Sequence, residues 1–84
     1  MIKGDPTKVV EVFGKKVGLN EGERGGLLKH LVGSGEMTRY GLQWAVTRLA
    51  GDVESYDRAS ELERLGGQVI ELAANDWERI SMAA

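Results

Sequence analysis

The side chains best equipped for chemistry in this chain are its single histidine, His30, and the carboxylates that cluster after residue 50. A hydrolytic triad can be written on paper from Ser34, His30 and Asp52, with the imidazole taking the serine proton and the aspartate orienting the ring. Such a triad needs its serine exposed on a strained nucleophile turn, and nothing around Ser34 makes one. Asp57 and Glu61 flank Arg58, and Glu61 lies three residues before Arg64. Two carboxylates working as acid and base need different environments, one of them buried. This run reads instead as a solvated helix face, whose ion pairs are each worth a few tenths of a kcal/mol. A zinc site needs ligands that a chain with one histidine and no cysteine hardly has. Catalytic, cofactor and metal sites are therefore all expected to be absent, and His30 is expected to be exposed or half-exposed.

A different kind of chemistry is carried by Tyr40 and Trp44. They lie four residues apart, so they are neighbours on a helix. They fall on the side opposite the stripe made by Leu42, Ala45, Val46 and Leu49. A surface helix of a small domain needs only one apolar stripe. A helix with a second, aromatic side is either sandwiched in the core or offers a docking surface. Burial would place Tyr40 and Trp44 under the first helix or under an extended segment near the end of the chain. Exposure would make Tyr40, Trp44 and Arg48 the anchor of a partner-binding site, with Arg39 and Gln43 at its rim.

The elements that must position these residues are legible from their caps. Asp5-Pro6 starts a first helix, with Val9, Val10, Phe13 and Val17 as its stripe and Gly18 ending it in a left-handed conformation. Gly14 within it implies close contact with a neighbouring helix. Asn20 and Glu23 form a capping-box variant for a second helix, whose apolar face is Leu27, Leu28, Leu31 and Val32 and whose stop is Gly33. Gly25-Gly26 weakens that helix by about 2 kcal/mol relative to two alanines, which suggests that another backbone crosses there. It is not a phosphate loop, because no Gly-Lys-Ser/Thr follows and no strand precedes. Met37 and Leu42 can staple the Thr38 cap of the third helix, which closes at Gly51-Asp52. Ser55 caps a fourth helix running to Leu65, with Tyr56, Ala59 and Leu62 inward, and Gly66-Gly67 ends it. Gln68-Val69-Ile70-Glu71-Leu72 reads as extended. Asn75-Asp76-Trp77-Glu78 opens a short C-terminal helix pinned by Trp77 and Ile80. The expected fold is mostly α: one domain over 1–84, with four main helices, one short extended segment at about 68–72 and a short C-terminal helix.

Eighty-four residues suffice for one small core. No apolar run approaches the roughly 20 residues needed to cross a bilayer, and the first residues show no apolar signal region, so a soluble protein is expected. Net charge is −2, but residues 1–48 carry eight Lys/Arg against five Asp/Glu, whereas residues 49–84 carry three against eight. A dedicated nucleic-acid binder shows a basic stripe and a high isoelectric point. Here the mild basic excess is spread over four segments and reads as an ordinary solvated surface; a dipolar surface would also support head-to-tail self-association.

Two stretches carry a resemblance. One is Tyr40-Gly41-Leu42 followed by Ala45-Val46-Thr47. The other is Asp57-Arg58-Ala59 followed by Glu61-Leu62-Glu63-Arg64-Leu65-Gly66-Gly67 and Val69-Ile70-Glu71-Leu72. Together they resemble the carboxy-terminal part of a phage- and plasmid-encoded family of unknown function, over about residues 19–80. The family's members are several times longer, so this chain corresponds to an excised domain or a small stand-alone relative. The resemblance implies no catalytic residues. It implies a mobile element and the bacterial cytoplasm.

These readings converge on non-enzymatic protein–protein interaction, with a host complex or a second copy of the chain as partner and no membrane. A phage protein of this kind would act as an inhibitor of a host defence complex, or as an oligomerisation domain. The alternative is a helix-turn-helix-like DNA binder using the second and third helices, with Lys29, Arg39 and Arg48 on phosphates.

Overall fold

A computed structural model describes residues 6–35 and 38–71. They form four helices: α1 (Pro6–Val17), α2 (Glu21–Ser34), α3 (Arg39–Asp52) and α4 (Tyr56–Ile70). Asp5, the Met37 staple and the short C-terminal helix with Trp77 and Ile80 lie outside the described residues.

The caps explain the boundaries. Asn20 Oδ1 accepts the Glu23 N–H at 2.8 Å, and the Asn20 N–H donates to Glu23 Oε1 at 3.0 Å, completing the capping box of α2. Thr38 Oγ1 accepts the Gly41 N–H at 3.0 Å to open α3, and Ser55 Oγ accepts the Arg58 N–H at 3.2 Å to open α4. At the end of α1, Gly18 takes φ +77° and the next N–H, that of Leu19, donates back to Gly14 O at 2.9 Å. This is a Schellman closure, and it turns the Leu19 side chain into the core. Helix α2 runs past Gly33; the left-handed residue is Gly35, at φ +71°, and its N–H donates to Val32 O.

Helix α3 is the centre of the molecule. It packs on α2 along one side and on α4 along the other, while α1 packs on α2. Its Leu42, Ala45, Val46, Leu49 and Ala50 are buried with Val9, Val10, Phe13, Leu19, Leu27, Leu31, Leu62 and Val69 in one core. Val32, placed on the apolar face of the second helix by spacing, is instead 55% exposed. Tyr56, expected inward, is 83% exposed at the first turn of α4. Leu62, on the other side of α4, is fully buried in the common core.

The extended segment is not found over Gln68–Ile70, because α4 continues through Gly66-Gly67 to Ile70. Gly66 is a contact point and not a stop. A Cβ built there would lie 3.4 Å from Val46 Cγ1 and 3.6 Å from the backbone oxygen of Gln43, so the missing side chain lets α4 lie close against α3. Leu62, Gly66 and Val69 are all buried, at helical spacing. The paired glycines of α2 have a milder reason than a crossing backbone. At Gly26 a Cβ would meet Leu49 Cδ1 at 3.0 Å, a side chain, and at Gly25 it would meet nothing within 4 Å. At Gly14 it would meet Arg24 Cδ at 2.8 Å, so close contact with the neighbouring helix is present there.

A candidate docking site on α3

Because α2 and α4 cover opposite flanks of α3, a third strip of that helix stays open. Tyr40, Trp44 and Arg48 follow one another along it at four-residue spacing. Tyr40 is 64% exposed and Trp44 is 45% exposed, so neither α1 nor the end of α4 buries them. Of the two placements open from sequence, the structure adopts the exposed one.

Trp44 is nonetheless held on two sides. The Arg48 guanidinium carbon sits 5.8 Å from the indole centroid, within cation–π range. From α2, the His30 ring meets the indole edge-on, with centroids 6.4 Å apart and planes at 87°. His30 is in turn fixed by Asp52 at the far end of α3, with Nε2 and Oδ2 2.6 Å apart. The carboxylate can only accept, so the ring nitrogen carries the proton. This bond is the main reason the Asp52 carboxyl is held below the usual aspartate range, with the nearby Arg48 and Lys29 charges adding to it. The order Arg48, Trp44, His30, Asp52 thus ties α2 to α3 across the surface and limits the freedom of an exposed indole. An aromatic side chain already confined loses less entropy on contact than a free one.

Beside the indole lies an open groove of about 470 Å³, lined by Gly33, Ser34, Tyr40, Gly41, Gln43 and Trp44. Gly33 and Gly41 leave its floor without side chains. Gln43 Nε2 donates to Thr47 Oγ1 at 3.3 Å, and that hydroxyl donates to Gln43 O at 3.0 Å. Arg39 stands half-exposed at the start of the helix. All five residues expected to form a contact surface are therefore on α3, with Tyr40, Gln43 and Trp44 around one groove.

The paper triad is brought together only in part. His30 and Asp52 pair, but the Ser34 hydroxyl donates to Leu31 O at 2.7 Å, the local bond of a serine near a helix end. Among the described residues, no three His, Asp or Glu side chains gather as metal ligands.

Spacing did not reveal the role of Arg58. It is not merely part of a solvated face. Its Nε and Nη2 donate to Glu23 Oε2 and Oε1, each at 2.7 Å. It also donates to Gly18 O at 3.3 Å and to Glu61. Glu23 is 8% exposed and is the buried charged residue among those described. The Arg58 hydrogen bonds hold the Glu23 carboxyl below its ordinary range, against the opposing effect of burial. The one sequence signal was Glu23 itself, whose capping role already placed it at the start of α2; its second partner is 35 residues away.

Among the described residues, no helix is long and apolar enough to cross a membrane. No protein-family model, curated protein or solved structure matches the chain.

Proposed function

We propose that this chain is a non-enzymatic protein-docking module. Its contact surface is Tyr40, Trp44 and Arg48, rimmed by Arg39 and Gln43. The observation that carries this reading is Trp44: a large aromatic side chain, nearly half exposed, yet restrained by Arg48 and His30 beside an open groove. Aromatic and arginine side chains in such settings carry a disproportionate share of binding energy at protein interfaces. The resemblance to phage- and plasmid-encoded proteins supplies a context: a mobile element in the bacterial cytoplasm, with the module inhibiting a host defence complex or assembling a longer protein.

The test is capture from nuclease-treated bacterial lysate by wild type, Trp44→Ala and Arg48→Glu, followed by reconstitution with the purified captured protein. Circular dichroism establishes that each variant is folded. Binding by wild type that falls at least about tenfold in both variants supports the surface, a loss of about 1.4 kcal/mol or more. Equal binding by all three removes it. Retention of DNA before nuclease treatment, with affinity falling steeply as salt rises, would replace it with the helix-turn-helix-like reading through Lys29, Arg39 and Arg48.

A further inference from the structure

The docking reading leaves the occupant of the Trp44 groove open, and the charge on the two ends of the molecule bears on it. At the groove, the exposed Arg48 guanidinium lies over the Trp44 ring. Between Asp52 and Glu63 the sequence carries five carboxylates and one cation; Asp52 belongs to the groove's own network through His30, and the other four lie beyond it. That cation, Arg58, is already bound to Glu23 and Glu61. In the middle of the acidic stretch stands Tyr56, 83% exposed, the most exposed of the large apolar side chains among the described residues. Glu54 and Asp57 flank it in the chain and are exposed, and Glu63 lies two helical turns further along the same face. The chain therefore presents an aromatic residue beside exposed carboxylates at one place and an aromatic groove with the Arg48 guanidinium against its tryptophan at another. Tyr40 is in the first turn of α3 and Tyr56 follows the end of that helix, so about 20 Å of helix separates them. One molecule cannot close the two features on itself.

We propose that the occupant of the groove is a second copy of this chain, which enters with Tyr56 while Glu54 and Asp57 face Arg48. This rests on the docking reading and names its partner. A two-fold contact of the groove with itself would bring the Arg48 charges of both copies into one interface with no carboxylate of the Glu54–Asp57 segment to oppose them, and like charges in an interface cost binding energy. Tyr56 against the groove opposes unlike charges. The contact is heterologous, so each copy offers both halves and association continues past the dimer, into a ring or an open chain. The patches are small, which places the contact among weak interfaces, and its charge makes it salt-sensitive.

Sedimentation equilibrium of the full chain tests this. At about 0.05 M salt the average mass rises with concentration beyond that of a dimer, and at about 0.5 M it falls back towards the monomer. Trp44→Ala, Arg48→Glu and Tyr56→Ala each weaken association at least about tenfold. Tyr56 and Arg48 are exposed, so those variants keep the fold even where Trp44→Ala disturbs it. The decisive sample mixes Trp44→Ala with Tyr56→Ala. The first keeps an intact Tyr56 and the second an intact groove, so the mixture forms one-to-one dimers and stops there. A monomer at every concentration and salt overturns the proposal; if the lysate partner is still lost in Trp44→Ala, the docking reading stands without it. Association that survives Tyr56→Ala but not Arg48→Glu also overturns it, in favour of groove-to-groove contact. Association indifferent to all three variants overturns both readings of the site.

Discussion

Glu23 uses one carboxylate twice. It completes the cap of α2 through the Asn20 N–H and receives the Arg58 guanidinium from α4. Glu23→Gln keeps an acceptor for the cap but loses the charge facing Arg58. We expect a loss of about 1.5–3 kcal/mol near neutral pH, the range for hydrogen bonds to charged groups, measured by chemical denaturation. The pH dependence has a definite sign. The folded-state pKa of Glu23 is depressed, so its stabilisation is complete above the unfolded glutamate value of about 4.3 and disappears as pH falls through the lower folded value. The gap between wild type and Glu23→Gln should therefore narrow in acid. A gap that stays constant down to pH values well below that range would show that the ion pair is not its source. The exposed His30–Asp52 link has the same sign, because the Asp52 carboxyl is also depressed.

At the scale of the element, the glycines separate into those that pack and those that merely weaken a helix. Gly25 has open space where a Cβ would go, so Gly25→Ala should stabilise α2 by about 1 kcal/mol. Gly14→Ala should at best break even. Its Cβ would press on Arg24 at 2.8 Å, and Arg24 is fixed through its bond to Leu19 O, so the helix gain is offset by a displaced hydrogen bond. Thermal melts of the two variants decide the matter, and equal melting temperatures would contradict it. The last turns of α4 offer a second test. Val69 is 1% exposed, so Val69→Ala should cost about 1–3 kcal/mol. A change within about 0.5 kcal/mol, as at a surface site, would place the residue outside the core.

For the whole molecule, the arrangement is asymmetric. Helix α3 has neighbours on two sides, whereas α1 packs mainly on α2 and adds Val9, Val10 and Phe13 to the common core. Local opening follows the number of buried neighbours that must be released. Native-state amide exchange should therefore find α1 opening at lower free energy than α3. If α1 were as protected as α3, the molecule would unfold as one unit. The open strip of α3 is a consequence of the same asymmetry. With α4 on one flank, α2 on the other and α1 beyond α2, no described element covers Tyr40 and Trp44.

Local chemistry sufficed for the four helix starts, because an Asn, Thr or Ser side chain bonds a backbone N–H within three residues and the proline at the head of α1 is equally local. It also sufficed for most of the core, since Leu27, Leu31, Leu42, Ala45, Val46 and Leu49 repeat at helical spacing. The stop at Gly66-Gly67, the inward Tyr56 and the inner position of Val32 could not be judged that way. Each depends on what lies opposite. A glycine pair reads the same whether it ends a helix or lets another helix approach, and only the nearness of Val46 and Gln43 decides that α4 continues. The Arg58–Glu23 and His30–Asp52 bonds join residues 35 and 22 positions apart, beyond the reach of any local pattern. Sequence determined that α3 has two apolar sides. Tertiary structure decided that the aromatic side stays open, because two helices can cover only two flanks of a third.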